Sequence, residues 1–284
     1  MAFCTNCGSQ VAAGARFCNN CGQQMGTAAA AVAPIVEPLD YSIEGSNLQI
    51  ARLRLKPGQE VYADAGRMVY KTANVQWDTR MTGNSLGEKV MGAFRRAVTG
   101  ESLFVTYFRA DSPGEVGFAG HYPGKIQAFD LPPGRSVLAQ RDAFLFAQSS
   151  VQYSVALVKK LGAGFFGGEG FILEKFTGPG ATFIHAGGDF INFDLQQGQV
   201  LQVDAGCIVA FDESVDYDFQ FVGGVKTALF GGEGLFLATL TGPGHVVVQS
   251  MTIERLRREL VPQGAQRDEH TALDTLGGIL GSRD

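Results

Sequence analysis

The sequence predicts a mostly β protein, a three-repeat barrel or sandwich preceded by a small four-cysteine module. Three observations lead to this prediction. The 38 glycines recur in turn positions between short apolar runs, which is typical of all-β domains with many tight turns. Separate segments of the chain repeat at one common offset. Four of the five cysteines form two CxxC pairs near the start.

The bulk composition describes a globular chain of moderate charge. It has 284 residues, of which 45% are apolar and 18% charged, with a formal net charge of -5. This acidic balance argues against general affinity for nucleic acid, which needs clustered cations. The start lacks the features of a secretory signal peptide, and no apolar run reaches the roughly 18–20 residues of a membrane span. We therefore expect a cytoplasmic protein.

The four cysteines have the spacing of a closed metal site. Cys4 and Cys7 form the first pair and Cys18 and Cys21 the second, and each pair is followed by a glycine. That glycine permits the positive φ that a tight knuckle requires. Four thiolates suit a structural Zn²⁺ ion whose binding folds the module. The alternative is a redox CxxC, but two matching copies are better explained by one shared ion.

This module, residues 1–25, resembles the short zinc ribbons at the N-termini of many prokaryotic proteins. Such ribbons bind nucleic acid in some proteins and protein partners in others. Arg16 is the one basic residue here, which favours a protein-docking or purely structural role. Residues 26–39 are rich in Ala and Pro and are predicted to be a linker. The β domain is expected over 40–260, followed by a disordered tail over 261–284.

The β domain contains internal repeats. Residues 167–180 match residues 231–244 at nine of fourteen positions, and both segments share a GGEG start and a TGPG end. The same offset of 64 residues relates 129–134 to 193–198. A common offset in two separate segments indicates duplication. A third, weaker copy starts near Leu55, so three repeats of strands around a shared core are predicted.

An insertion of eight residues distinguishes the first copy. Leu86, Val90, Phe94 and Val98 recur every four residues, after a capping-box spacing at Ser85. The insertion is therefore predicted to be an amphipathic helix that lies on the barrel. The alternative is a helix for a membrane surface or a partner, which would make peripheral membrane contact.

Each copy supplies one glutamate after a glycine: Glu101, Glu169 and Glu233. If the repeats surround an axis, these carboxylates occupy equivalent positions and could form a ring that binds a cation or a partner. The alternative is that each carboxylate accepts hydrogen bonds from its own glycine-rich turn. The apolar pairs at 165–166 and 229–230 also share a register. They favour core or subunit contacts over exposed tips for a membrane.

The remaining reactive side chains form no catalytic pattern. We expect His121, His185, His245 and His270 to be surface or strand-end residues, because none lies in a metal-binding or catalytic spacing. Cys207 lies in a strand-core context, which favours a buried and inert thiol. The glycine-rich runs lack the features of phosphate loops. The chain is therefore predicted not to be an enzyme.

The repeated GGEG and TGPG segments, together with the Leu-x-Pro-Gly segment at 55–58, resemble a known family over residues 40–255. It is the family of the mitochondrial biogenesis protein called altered inheritance of mitochondria twenty-four, which has many prokaryotic relatives. The resemblance implies a fold of double-stranded β-helix type, related to that of the tryptophan RNA-binding attenuation protein. It implies no enzymatic activity, and the link of mitochondrial members to inner-membrane organisation suggests a scaffold.

Taken together, these observations predict a non-catalytic scaffold or adaptor. The ribbon would dock an unidentified protein, and the β domain would self-associate into a homo-oligomer. The alternative is a nucleic-acid-binding regulator that acts through the ribbon, although the acidic balance counts against it. A third reading is an enzyme or small-ligand module whose pocket is built by the repeats.

Overall fold

The computed structural model describes residues 2–4, 6–11, 17–22, 36–81, 104–159, 171–222 and 235–260. The chain forms two compact units, Met1–Ile35 and Val36–Asp284. The predicted helical insertion and the predicted tail lie outside the described residues, as does most of the predicted linker.

The first unit is built on a short antiparallel hairpin. Strand β1 (Ala2–Phe3) pairs with β2 (Gln10–Val11), with Ala2 opposite Val11. The knuckle between the strands turns at Gly8, whose φ is +71° and whose N–H donates to the Cys4 carbonyl at 2.8 Å. Gly22 closes the second knuckle with a φ of +70°. These are the positive φ values expected from the sequence.

The second unit is mostly antiparallel β-sheet, and its first part is a four-stranded sheet. The order across this sheet is β3-β4-β9-β6. Its strands are β3 (Asp40–Glu44), β4 (Ile50–Leu55), β6 (Met68–Lys71) and β9 (Gly114–Ala119). Along β4, Ala51, Leu53 and Leu55 are buried and alternate with the more exposed Arg52 and Arg54, so one face of the sheet covers a core.

The central element is an eleven-stranded sheet. Its strands are β5 (Glu60–Ala63), β7 (Val75–Met81), β8 (Phe104–Ala110), β10 (Gly124–Leu131), β11 (Ser136–Gln140), β12 (Phe144–Gln148), β13 (Gln152–Lys159), β14 (Phe171–Thr177), β15 (Gly180–Leu195), β17 (Ile208–Asp212) and β20 (Gly244–Met251). The order is β13-β14-β11-β17-β20-β15-β12-β5-β8-β7, and β10 also pairs with β15.

A three-stranded sheet completes the β domain. It consists of β16 (Val200–Asp204), β18 (Asp216–Val222) and β19 (Leu235–Thr241), with β19 in the middle. Two short 3₁₀ turns, Arg141–Ala143 and Ala205–Cys207, connect β11 to β12 and β16 to β17.

One tight turn occurs three times in this domain. It is centred on Gly58, Gly134 and Gly198, whose φ angles are +83°, +77° and +75°. In each turn the residue after the glycine donates its N–H to a carbonyl three residues earlier, at 2.9–3.0 Å. A positive φ is strained for other residues, so glycine is favoured at all three places.

The long strand β15 carries the central sheet from one layer to the next. Its residues Gly180–Gly187 pair with β10, whereas its second half pairs with β20. The register of the β15–β20 pair shifts between Gly187 and Phe190, around Gly188 with its φ of +68°. Such an irregularity bends a strand and increases its twist. The described strands form open antiparallel sheets, and the barrel, which was one of the two predicted alternatives, does not close among them.

The hydrophobic core is divided into three clusters by the central sheet. In β5, Val61 and Ala63 belong to the first cluster, whereas Tyr62 points into the second. In β11, Val137 belongs to the second cluster and Leu138 to the third. Because successive side chains of a strand point to opposite faces, each half of the central sheet separates two apolar layers.

Aromatic rings fill much of the first cluster. Phe146 stacks on Phe183, with ring centroids 4.1 Å apart, and on Phe118 at 4.6 Å. All three rings are fully buried. Burial of one such side chain contributes roughly 1.5–3 kcal/mol, so these rings are a principal source of the stability of this layer.

One helix, α1 (Ile253–Leu260), follows the last strand. The Thr252 hydroxyl accepts a hydrogen bond from the Arg255 N–H at 3.1 Å and so caps the helix N-terminus. Arg255 also pairs with Asp204 at 2.8 Å. In the described part of the chain, no helix has both the length and the apolar character that crossing a membrane requires.

Candidate metal centre

The four cysteines of the first unit come together around one point. Their sulfur atoms all lie within 4.8 Å of one another. The Sγ atoms of Cys4 and Cys21 are 3.6 Å apart, and so are those of Cys7 and Cys18. Sulfurs placed 2.3 Å from a tetrahedral Zn²⁺ are separated by about 3.8 Å, so the arrangement fits this ion.

The same distances distinguish a metal site from a redox pair. The two sulfur–sulfur distances of 3.6 Å join cysteines of different knuckles, whereas a redox CxxC pairs the two cysteines of one motif. The sulfurs are also well beyond the roughly 2.0 Å of a disulfide. Four thiolates leave no open coordination position, so the residues suit a structural ion that would stabilise the fold of the ribbon.

Two asparagines support the sulfurs from outside, in a reciprocal arrangement. The Asn6 amide of the first knuckle donates to Cys21 Sγ at 3.8 Å, and the Asn20 amide of the second donates to Cys7 Sγ at 3.7 Å. Asn20 also donates to the Ser9 hydroxyl at 3.0 Å. Such outer partners orient metal ligands and tune them. The sequence analysis missed both residues, although each directly precedes the second cysteine of its knuckle.

Hydrogen bonding also favours the thiolate form of one ligand. The hydroxyl and the backbone N–H of Ser9, followed by Cys21 and Asn20, lower the pKa of Cys7 to about 5. Cys4 and Cys18 are buried with Val11 in a small apolar cluster. One half of the ribbon interior is therefore apolar, while the other two sulfurs lie near the surface.

The described part of the ribbon exposes two phenylalanines and carries no charged side chain. Phe3 is 62% exposed and Phe17 is 55% exposed, and each directly precedes a buried cysteine. The described ribbon segments, 2–4, 6–11 and 17–22, contain no Lys, Arg, Asp or Glu. These rings therefore contribute little to the interior of the described part of the ribbon.

Several residues that were predicted to form sites lie outside the described residues. They are the glutamates of the predicted ring, Glu101, Glu169 and Glu233, and the apolar pairs at 165–166 and 229–230. The glutamate ring and the contacts of the apolar pairs therefore remain predictions. Cys207 is half-buried, and burial raises the pKa of its thiol, which opposes reactivity.

The expectation for His185 was wrong, because this residue is buried in the middle of β15. Its ring packs edge-on against Tyr122 at 4.9 Å. Burial, together with Arg67, lowers the pKa of His185 to about 4. Gly120 and Gly124 leave room for the imidazole, because a Cβ at either position would collide with it. A neutral histidine therefore fills space that two glycines provide.

The other described histidines lie nearer the surface. His245 Nδ1 lies 2.7 Å from Asp194 Oδ1, and its Nε2 lies 3.0 Å from Asn192 Oδ1. His121 Nε2 lies 3.3 Å from the Gly66 carbonyl. His270 lies outside the described residues.

The structure also reveals a buried acid that the sequence did not indicate. Glu174 in β14 is almost completely buried, and its Oε1 accepts a hydrogen bond from the Tyr153 hydroxyl at 2.7 Å. Among the described residues, its Oε2 has no hydrogen-bond partner. Burial raises the pKa of Glu174 to about 8. The sequence repeat did not single out this glutamate, because the residue 64 positions later is Ala238 and not a second acid.

Fold and site together define a mostly β protein that carries a separate four-cysteine zinc-ribbon unit. Comparison with known proteins agrees with both parts. A family model described as "zinc-ribbon domain" matches residues 3–25, and one described as "Mitochondrial biogenesis AIM24" matches residues 41–251. The chain belongs to the AIM24 family.

Two bacterial relatives share the β domain. An uncharacterised protein of Streptococcus pyogenes serotype M6 is 32% identical over 210 residues, which cover 72% of this chain and 83% of the relative. A crystal structure of a protein from Streptococcus pyogenes superimposes with a TM-score of 0.64 at 26% identity. The similar region covers 78% of this chain and 98% of that protein. These relatives support the assignment of the family and of the fold. Their descriptions state no activity.

Proposed function

We propose that the protein is a non-catalytic scaffold or adaptor. The zinc ribbon docks a protein partner, and the β domain is a repeated platform that self-associates. The observation that carries the docking role is the pair of exposed rings, Phe3 and Phe17, on a ribbon whose described segments bear no charge.

Metal binding makes these two rings suitable for recognition. Phe3 and Phe17 directly precede Cys4 and Cys18, which are both ligands of the one candidate site. A bound ion holds both backbones in place, so the rings are presented with little loss of conformational entropy on binding. Aromatic anchors of this kind are enriched in the cores of protein–protein interfaces. The proposed partner surface is therefore an apolar pocket or groove on another protein.

The ribbon's chemistry disfavours nucleic acid. Binding to phosphates depends on clustered Lys and Arg, and Arg16 is the one such residue within 1–25. Stacking of bases on the two phenylalanines would have only Arg16 to supply the electrostatic contribution that dominates such complexes. Docking to a protein would use both the exposed phenylalanines and the low charge of the ribbon.

The platform role rests on an internal repeat in the β domain. Two observations support three copies of one unit of double-stranded β-helix type. The glycine turn at 58, 134 and 198 is the same in all three places. In addition, strand β5 pairs with β12 in the register Ala63–Phe146, and β11 pairs with β17 in the register Ala139–Ala210. Residue 63 of the first copy corresponds to residue 139 of the second, 76 positions later. Residue 146 of the second copy corresponds to residue 210 of the third, 64 positions later. The two strand pairs therefore have the same register.

The docking role can be tested with a Phe3→Ser/Phe17→Ser variant, because both side chains are exposed and serine should leave the ribbon folded. The matched control is Asn19→Ala, an exposed position of the second knuckle. Zinc content is measured for each protein, and associated proteins are captured from the cells that produce it. We expect one zinc per chain in all three proteins and loss of partners from the double variant alone.

Two results would contradict the proposal. One is an unchanged set of partners for the double variant at full zinc content. The other is salt-dependent binding of DNA or RNA by the wild-type chain that is lost in the double variant, which would favour the nucleic-acid alternative. Membrane contact through residues 85–98 remains a separate prediction.

A further inference from the structure

Arg67, between β5 and β6, is a buried arginine whose charge is poorly compensated. The residue is 4% exposed, and its Nη2 donates to the Asp142 carbonyl at 3.0 Å. Asp64 Oδ2 lies 3.7 Å from the Arg67 Nε, which is too long for a hydrogen bond. Among the described residues, Nε and Nη1 have no hydrogen-bond partner. Because a buried charge is costly unless it is paired and hydrogen-bonded, this guanidinium needs a further acceptor.

His185, on β15, has a similar deficit close by. It is 1% exposed, and its Nδ1 has no hydrogen-bond partner in the described part of the chain. The ring lies against Gly120, where an added Cβ would be 2.2 Å from it. The residue before this glycine, Ala119, donates its N–H to the Arg67 carbonyl at 3.0 Å. Burial and then Arg67 lower the pKa of His185, which also places the guanidinium near the ring.

The proposed repeat indicates that the fold does not need a cation at either position. The strand registers define the equivalents of His185, because the residues just before them, 118, 184 and 248, lie opposite residues 68, 144 and 208. The equivalents carry no cationic group: they are Ala143 and Cys207 for Arg67, and Ala119 and Gln249 for His185. The two cationic side chains therefore occur together at one junction only, between the first and the second copy.

The third copy shows how a polar side chain at the His185 position is satisfied. Gln249 donates its amide N–H to the Gly206 carbonyl at 3.0 Å. The equivalent of that carbonyl in the second copy is the Asp142 carbonyl, which already accepts from Arg67 Nη2. By this equivalence, Arg67 and His185 meet at the Asp142 carbonyl, and each brings unpaired nitrogen atoms to it.

We propose that Arg67 and His185 together bind a small monovalent anion, of about the size of chloride, where the first and second copies meet. The charge of the ion follows from the single guanidinium that lacks a close carboxylate, and its small size follows from the burial of both residues. The ion would tie the two copies together. The comparison between copies rests on the repeat proposed above, whereas the contacts of Arg67 and His185 do not.

The neighbouring carboxylates are occupied elsewhere. Asp142 Oδ2 accepts from Gln140 Nε2 at 3.1 Å, and its Oδ1 accepts from Arg141 Nε at 3.4 Å. Asp64 Oδ1 accepts from the next N–H in the chain at 2.9 Å. These acids offset part of the charge of Arg67 from a distance, but neither carboxylate accepts a hydrogen bond from it.

The anion and a proton are expected to bind together. Without the anion the ring of His185 is neutral, because burial, Arg67 and His121 lower its pKa and a backbone hydrogen bond of Tyr122 opposes them only in part. An anion between Arg67 and His185 offsets the repulsion and gives Nδ1 an acceptor, so it raises the pKa of the ring. The protonated ring then donates to the anion through Nδ1.

Thermal unfolding at constant ionic strength tests the site in solution. The transition is followed by the fluorescence of Trp77, the one tryptophan of the chain, which lies in β7 of the β domain. Replacing the bulky anion gluconate by chloride should raise the Tm of the wild type by about 2–4 °C at pH 6. The rise should be smaller at pH 8, because the proton on His185 is then harder to supply. An equal rise at both pH values would contradict the binding of a proton with the anion.

Two variants remove the site with residues that the repeat already uses. His185→Gln follows Gln249 and Arg67→Ala follows Ala143, so both are expected to fold. Neither variant should show the chloride-dependent rise in Tm. The matched control is Arg135→Ala, which removes an arginine whose side chain is 60% exposed, and it should keep the full rise. A rise that persists in His185→Gln or Arg67→Ala, or that is absent from the wild type, would overturn the proposal.

Crystals of the full chain soaked in bromide locate the ion independently of the variants. An anomalous peak is expected in contact with Arg67 Nη1 and His185 Nδ1. The absence of a peak there, or a water molecule in its place, would overturn the proposal. A peak without a chloride-dependent rise in Tm would mean binding at crystal concentration only and would overturn it as well. None of these results depends on docking by the ribbon or on self-association.

Discussion

We expect the buried carboxyl group of Glu174 to make the stability of the β domain dependent on pH. Burial raises its pKa to about 8 in the folded protein, compared with about 4.5 in the unfolded chain. The folded state therefore holds the proton more tightly than the unfolded state. It follows that this group stabilises the fold at low pH, and that the contribution is lost as the pH rises from about 4.5 to about 8.

The size of the effect can be worked from this pKa difference. One pKa unit corresponds to about 1.4 kcal/mol, so the free energy of unfolding should fall by about 4 kcal/mol between pH 5 and pH 9. Between about 1 and 2 kcal/mol of that loss falls between pH 7 and pH 9. A Glu174→Gln variant cannot ionise at this position and should not show the loss.

The assay is denaturant unfolding followed by circular dichroism at pH 5, 7 and 9. His185 affects the free energy of unfolding in the opposite direction at lower pH. Burial lowers its pKa to about 4, so the folded state favours the neutral form and this contribution to stability increases as the pH rises from about 4 to about 6.5. The difference between wild type and Glu174→Gln removes this contribution. The control is Glu213→Gln, because Glu213 is a surface carboxylate whose hydrogen bond with Lys175 lowers its pKa.

The reasoning is refuted if the pH profiles of wild type and Glu174→Gln run parallel from pH 5 to pH 9. It is also refuted if the Glu213→Gln control removes the loss of stability at high pH. A profile that differs only below pH 5 would mean that Glu174 is ionised in the folded protein at neutral pH, contrary to the effect of its burial.

Three further predictions follow from particular contacts. Replacing Asn6 and Asn20 by Ala should speed zinc release to a chelator about tenfold or more, because the hydrogen bonds to Cys21 and Cys7 are lost; unchanged release would contradict their supporting role. Gly124→Ala should cost about 3 kcal/mol, because a Cβ would collide with the Ala186 carbonyl. Gly134→Ala should cost only about 1 kcal/mol, since its sole penalty is the positive φ; equal losses in thermal unfolding would argue against the collision. Phe146→Ala should cost about 3–5 kcal/mol in the same assay, and a loss below 1 kcal/mol would mean that its stacked rings repack.

The sequence predicted the ribbon well because its constraints are local. Paired cysteines followed by Gly8 and Gly22 leave few conformations other than a knuckle, and both glycines have the positive φ that was expected. The mostly β class was also predictable, because the glycine turns and the alternation of apolar residues are visible in the chain. The family resemblance was confirmed by the match over residues 41–251.

The sequence did not predict features that depend on contacts between distant strands. His185 reads as an ordinary polar residue of a strand, and its burial depends on the space left by Gly120 and Gly124, which are about 60 residues earlier in the chain. The change of pairing along β15, from β10 to β20, also depends on distant strands, and no local pattern in the sequence indicates it. Glu174 is buried against Tyr153 on a neighbouring strand, and the alternation of β14 does not mark it as an internal acid.

The scaffold proposal is tested most directly by native mass spectrometry of the protein purified from the cells that produce it. One measurement reports the zinc content, the number of copies in each particle and any protein that remains bound. We expect one zinc per chain, several copies in each particle and a second protein that is absent when Phe3→Ser/Phe17→Ser is purified in parallel. A single chain with one zinc, no second protein and no further copies would contradict the account.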